Sequence, residues 1–135
     1  MKNVTILILL IALSFAVSGQ DKKTIKEKGI SEIKTYEQKL ERGIEDKFLV
    51  EIEKFDAKGR TIELKETSRK GDIDSWVKYK YDEDGNVVEE TELDVRGKLK
   101  KKEITKYKNG LRIEREYYDS ENRLVRRKTY EYLYD

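Results

Sequence analysis

Carboxylates and tyrosines are the side chains from which this chain could build chemistry. It carries 28 acidic residues, 30 lysines and arginines, nine tyrosines and one tryptophan, with neither histidine nor cysteine. That composition excludes imidazole acid–base catalysis, thiolate nucleophiles and the usual zinc ligands. Two carboxylates suffice for glycoside hydrolysis, yet acids recur on almost every stretch and their spacing selects no pair. Asp82, Asp84 and Asn86 have the alternating oxygen spacing that opens a calcium loop. Gly85 then falls at the fourth loop position instead of the sixth, and Leu93 stands where the bidentate glutamate belongs. Turn chemistry explains these residues instead. We expect no enzymatic activity, no metal and no cofactor.

The aromatic residues are the stronger candidates for a site. Tyr107, Tyr117, Tyr118, Tyr130, Tyr132 and Tyr134 concentrate toward the C-terminal end, and Trp76 is the single tryptophan. Cross-strand packing accounts for most of them, since aromatics are good strand formers. Trp76 and Tyr118 fall on the mostly charged face of the expected sheet, so with Tyr130 and Tyr132 they define a candidate aromatic binding surface for a glycan or a protein. The basic cluster Arg123, Arg126, Arg127 and Lys128 could contact phosphate, but Glu114, Glu116 and Glu131 nearby point to an ion-pair ladder.

The elements that carry these residues are announced by turns. Lys58-Gly59, Lys70-Gly71, Asp84-Gly85, Arg96-Gly97, Asn109-Gly110 and Glu121-Asn122 recur at nearly even intervals, and Gly29 and Gly43 continue the beat backward. Between them charged residues alternate with β-branched and aromatic ones. That pattern writes antiparallel hairpins, one strand per interval. Phe55, Tyr81 and Tyr107 recur every 26 residues, so one full period is two strands and two turns. The Asp after the aromatic can accept hydrogen bonds from the turn's own amides, and the later Gly or Asn supplies a left-handed position. The expected fold is all-β: an antiparallel meander of about eight strands, forming a single curled sheet or half-barrel behind a signal peptide. The stretch 29–42 could be helix or strand, and the spacing favours a strand from Ile30 to Lys39.

A register follows if each turn is extended without interruption. Tyr81 then meets Val87, Lys78 meets Glu90, Leu93 meets Leu99, Glu92 meets Lys100, Glu90 meets Lys102 and Glu103 meets Arg115. Acidic and basic runs lie side by side and neutralise one another. One face collects Val77, Tyr79, Tyr81, Val87, Leu93, Leu99, Tyr107, Leu111, Ile113 and Tyr117. The other is mostly charged, with Trp76, Val88, Ile104 and Tyr118.

Residues 1–19 read as a secretory signal peptide. Lys2 precedes an apolar run from Val4 to Val17, which is shorter than the ~20 residues of a bilayer span, and the small Ser18 and Gly19 follow. Residues 20–28 read as a polar leader and 29–135 as the β-hairpin repeat domain. The lack of cysteine suits export into a bacterial periplasm or beyond better than a disulfide-stapled eukaryotic secreted domain. After signal cleavage no membrane span is expected. The whole chain has a formal net charge of +2, too near neutrality to draw in nucleic acid.

Phe55-Asp56-Ala57-Lys58-Gly59-Arg60 and Tyr79-Lys80-Tyr81-Asp82-Glu83-Asp84-Gly85-Asn86-Val87 resemble the YD repeat of Rhs-type and teneurin-like proteins. The stretch from Phe55 to Asp135 is similar to small exported bacterial repeat proteins and, more distantly, to MORN-variant repeats. The resemblance implies a β-repeat scaffold and, from the large YD proteins, an association with carbohydrate. The expected role is a non-enzymatic binding or interaction module at the cell envelope, with an unidentified protein or glycan partner. The alternative is a periplasmic carrier holding a lipid or other apolar ligand on the concave face. The final strand is expected to be an edge available for self-association.

Overall fold

The computed structural model describes residues 21–40 and 46–135; the signal peptide expected over 1–19 and the turn expected at Gly43 lie outside them. One helix, α1 (Lys22–Lys28), precedes eight strands: β1 (Glu32–Lys39), β2 (Asp46–Phe55), β3 (Thr61–Thr67), β4 (Ile73–Tyr81), β5 (Val87–Leu93), β6 (Leu99–Lys108), β7 (Leu111–Tyr118) and β8 (Leu124–Thr129). All strands are antiparallel and lie in one sheet in sequence order. The sheet is open, with β1 and β8 at its edges. Within the described part of 29–42, Glu32–Lys39 is a strand, as the turn spacing predicts.

The turns form as the sequence implies. Asp56 N–H donates to the Arg60 carbonyl at 2.9 Å, and the Asp56 carboxylate accepts from the amides of Lys58 and Arg60. Asp94 and Asp119 repeat both contacts two and four residues on. Asp82 accepts from the Asn86 amide and side chain. These hydrogen bonds hold the carboxyls of Asp82, Asp94 and Asp119 below their ordinary range. Thus both Asp82 carboxylate oxygens are engaged within the turn, one by the Asn86 amide and one by the Asn86 side-chain nitrogen. Asn109 and Gly110 both have positive φ, 51° and 75°, and link β6 to β7 in a tight two-residue turn.

Every strand pair carries one irregularity, which corrects the uninterrupted register. Tyr81 does oppose Val87, but Lys80 opposes Glu89, leaving Val88 as an extra residue. Leu93 does oppose Leu99, while Glu92 opposes Lys101 and skips Lys100. Tyr118 opposes Leu124, while Tyr117 opposes Arg126. Each is a β-bulge beside the turn, and it shifts all later pairs by one residue. Glu90 therefore faces Tyr79 and Glu103, not Lys78 and Lys102. Lys100–Glu92 and Arg115–Glu103 still meet, at 2.7 Å each, as diagonal neighbours.

The segment 20–28 is not simply a polar leader. Asp21 caps α1 by accepting from Thr24 N–H at 2.8 Å, and Gly29 closes it in a left-handed conformation. Ile25 is 2% exposed, and the helix backbone lies against Gly59 in the β2–β3 turn. The lone apolar Ile25 is too little to announce an amphipathic helix in seven residues, which is why sequence reasoning passed over it. Ile25 and Phe55 are the apolar side chains in the buried class among the described residues. The substantial contacts between elements are all between successive strands. The sheet is thus a single layer, unlike the two packed layers of most domains.

Candidate functional site

Following partners across the register assigns each strand residue to a face, because directly opposed residues point the same way. One row runs Tyr79–Glu90–Glu103–Tyr117–Arg126 from β4 to β8. Beside it runs Ile33–Glu53–Leu64–Val77–Glu92–Lys101 from β1 to β6. A third row joins Thr35, Glu51, Glu66 and Ser75. These rows make up the Tyr79 face. The opposite, Trp76 face carries Lys65, Lys78, Glu89, Thr91, Ile104 and Tyr118. Leu93 alternates with Glu89 and Thr91 and so belongs there too, contrary to the sequence expectation.

Both faces pair ions locally, the Tyr79 face through Lys101–Glu92 at 2.8 Å and Arg115–Glu103 at 2.7 Å. The Trp76 face pairs its ions locally: Lys54–Glu63 at 3.4 Å, Lys80–Glu89 at 3.0 Å, Lys106–Glu114 at 2.6 Å and Arg127–Glu116 at 2.6 Å. On the Tyr79 face, Glu51 and Glu66 are direct cross-strand partners, as are Glu90 and Glu103. Burial lifts the Glu51 carboxyl above its ordinary range, and Glu53 and Glu66 add to the effect. Glu90 is lifted by burial and then by Glu103, against the opposing pull of Lys101 and Arg115. The Tyr79 phenol is pushed up to about 12, first by burial and then by Glu90, with Tyr81, Glu66 and Glu53 adding to it. Glu53 is fully buried: its Oε1 accepts from the Thr61 hydroxyl at 2.6 Å, while Oε2 has no hydrogen-bond partner. Toward β8 the sign reverses, and the Arg126 guanidinium lies 3.9 Å from the Tyr117 ring centroid. A groove of about 380 Å³ on this side is lined by Glu90, Glu92, Lys101, Glu103, Tyr117 and Arg126, together with flanking residues of the β7–β8 hairpin and Lys102.

The candidate aromatic surface divides. Trp76 donates from Nε1 to Glu63 Oε1 at 2.9 Å, Lys65 Nζ lies 3.7 Å from its ring centroid, and its ring edge rests on Gly97. Tyr118 donates to Glu116 Oε2 at 2.8 Å under Lys102 Nζ, 4.6 Å from the ring centroid. Both residues lie on one face, but on β4 and β7, three inter-strand steps of ~4.8 Å apart. Tyr132 donates to the Arg112 carbonyl at 2.7 Å, and the Arg112 guanidinium lies 5.6 Å from the Tyr130 ring centroid. These two sit beyond the end of β8. The four residues therefore form separate, internally engaged clusters. Sequence reasoning missed the crowding of Glu90 against Glu103, which the bulges create and no local motif announces.

The Tyr79 face sets carboxylates directly against each other at Glu51–Glu66 and Glu90–Glu103. Among the described residues no group of three or more acidic side chains is placed to hold a metal ion, and no helix is long and apolar enough to cross a membrane. A direct test of its charge crowding is Glu90→Gln. Because the folded Glu90 carboxyl is held above its ordinary 4.5, the cost is absent below that pH and grows as pH rises through the folded value. The substitution is expected to stabilise the dilute protein at pH 7 by about 0.5–1 kcal/mol, the scale of a partly solvated like-charge cross-strand pair. In urea melts the gain should vanish below about pH 4. A loss of stability at pH 7 would contradict the crowding.

No protein-family model matches this chain, and no curated protein matches it.

Proposed function

We propose that this chain is an exported, non-enzymatic interaction module of the bacterial cell envelope, working through the Tyr79 face of its sheet. The observation that carries the reading is the segregation of charge on that face. Glu51 and Glu66 oppose each other at one end of an open single-layer sheet, away from the ion pairs Lys101–Glu92 and Arg115–Glu103 on the same face. Uncompensated like charge lowers a fold's stability, and it is well suited to steering a partner of complementary charge. The absence of histidine and cysteine from the sequence and the apolar run from Val4 to Val17 support the non-catalytic and exported parts of the reading.

The alternative of a lipid carrier has less support. The face bearing Val77, Tyr79 and Tyr81 is crossed by glutamates in each of the rows through Glu51, Glu53 and Glu90, and an apolar ligand would have to desolvate them. Native mass spectrometry of the protein purified from its own envelope fraction separates the readings. The interaction module is expected bare or bound to polypeptide. A stoichiometric lipid would overturn it.

A further inference from the structure

We infer that the outer edge of β8 is a docking site for an extended, acidic segment of a partner protein, which adds to the sheet as a further strand. The inference goes beyond the role proposed for the Glu51–Glu66 end of the sheet and does not rest on it. All six residues of β8 are exposed, and among the described residues its one strand neighbour is β7. The Tyr130 amide donates to the Ile113 carbonyl at 3.1 Å, one step beyond the Glu114–Thr129 pair. Counting in twos from there, Lys128 and Arg126 also turn their backbone groups toward β7. Arg127 and Thr129 therefore turn theirs outward. Such a row of open amides and carbonyls is what an added strand binds.

Side chains decide which strand can come. Arg126 and Lys128 project on the Tyr79 face and share one ring: their charged groups lie 3.9 and 5.7 Å from the Tyr117 centroid. Among the described residues neither forms an ion pair, whereas Arg127 on the other face is held by Glu116 at 2.6 Å. Lys128 also stands directly opposite Arg115, whose guanidinium is already taken by Glu103. Two bases thus lack an acid, and the side open to one is the outer edge. In an added antiparallel strand the residues facing Arg126 and Lys128 are the closer, non-hydrogen-bonded partners, with Cα atoms about 4.5 Å away. The segment that fits carries carboxylates at alternate positions. A second copy does not supply it through either edge. Symmetric β8–β8 pairing sets bases against bases, and β1 holds its acids at Glu32 and Glu37, not two residues apart. Charges on an edge normally deter strand addition. Here they deter basic and apolar strands and admit an acidic one.

Fluorescence anisotropy and amide hydrogen exchange on the purified chain test this with two synthetic peptides. One has glutamate at alternate positions among valine and threonine, and the other has lysine in place of the glutamates. The glutamate peptide is expected to bind, slowing exchange at the Arg127 and Thr129 amides and leaving β4 and β5 unchanged. The lysine peptide is expected to bind at least about tenfold more weakly, two attractive ion pairs becoming two repulsive ones. Arg126→Glu with Lys128→Glu is expected to reverse the preference, and an unchanged exchange pattern in β4 and β5 shows that the variant folds. Binding of the glutamate peptide without protection at Arg127 and Thr129 overturns the edge as the site. Equal binding of the two peptides, no binding of either, or a folded double variant that still prefers glutamate overturns the inference.

Discussion

Phe55→Ala is expected to cost about 3–5 kcal/mol of folding free energy, the range for emptying a buried aromatic site. In a two-layer domain such a loss would be shared with a large surrounding core. Here the single layer leaves Phe55, at 6% exposed, and Ile25 as the apolar side chains in the buried class among the described residues. Domains of this size are stable by only about 5–15 kcal/mol, so one truncation removes a large share of the margin. The denaturation midpoint in urea, followed by circular dichroism, should fall steeply. Leu124→Ala, at a side chain 43% exposed on the edge strand, should move it by no more than about 0.5 kcal/mol. Equal shifts for the two would mean that the hydrophobic anchor lies elsewhere.

Gly59→Ala should be the most damaging of the turn-glycine substitutions. Gly59 has φ of +76°, and a Cβ there would run into the Lys22 carbonyl oxygen and lie 3.1 Å from the Lys26 nitrogen. The left-handed backbone alone costs an alanine about 1–2 kcal/mol. Displacing α1 adds the exposure of Ile25, bringing the total to about 2–4 kcal/mol. Gly85→Ala provides the comparison, since Gly85 has φ of +86° but nothing within 4 Å of the added carbon. Thermal melts should separate the two variants clearly. Hydrogen exchange should also speed up at Ile30, whose amide donates to the Ile25 carbonyl at 3.0 Å, in Gly59→Ala but not in Gly85→Ala. Matching losses in the two variants would show that α1 does not stabilise the sheet.

Both effects converge on the β2–β3 turn, where the single layer gains its one helical cover. The rest of the sheet depends on cross-strand pairs and on the Asp-centred turns. Much of this was legible in the sequence. Asp56, Asp82, Asp94 and Asp119 and the glycine or asparagine after each announced the hairpins, and both the turn geometry and the strand order follow from them. Tyr79 and Trp76 were placed correctly on opposite faces by simple alternation.

The register beyond each turn was not legible in the same way. A bulge leaves no mark of its own in sequences such as Asn86-Val87-Val88-Glu89, where either valine could oppose Tyr81 with similar packing. Two uncounted residues, Val88 and Lys100, then moved Glu90 from a neutralising position between lysines to one between Tyr79 and Glu103. The ladder still pairs Glu92 with Lys101 and Glu103 with Arg115, but it sets Glu90 against Glu103 and leaves Glu51 against Glu66. The aromatic candidates fared differently. Trp76 is held by Glu63, Lys65 and the Gly97 turn, contacts that depend on neighbouring strands and on no local motif. α1 was missed because its one buried side chain, Ile25, sits among lysines and a glutamate.

The claim that one face of this open sheet is its working surface is tested most directly by site-specific photo-crosslinking in the cell envelope. A photoreactive residue at Ser75, beside Glu66 on the Tyr79 face, is compared with one at Thr91, between Lys78 and Lys102 on the Trp76 face. Ser75 is expected to give discrete adducts to protein, and Thr91 is expected to give few or none. Adducts from Thr91 with none from Ser75 would contradict the account.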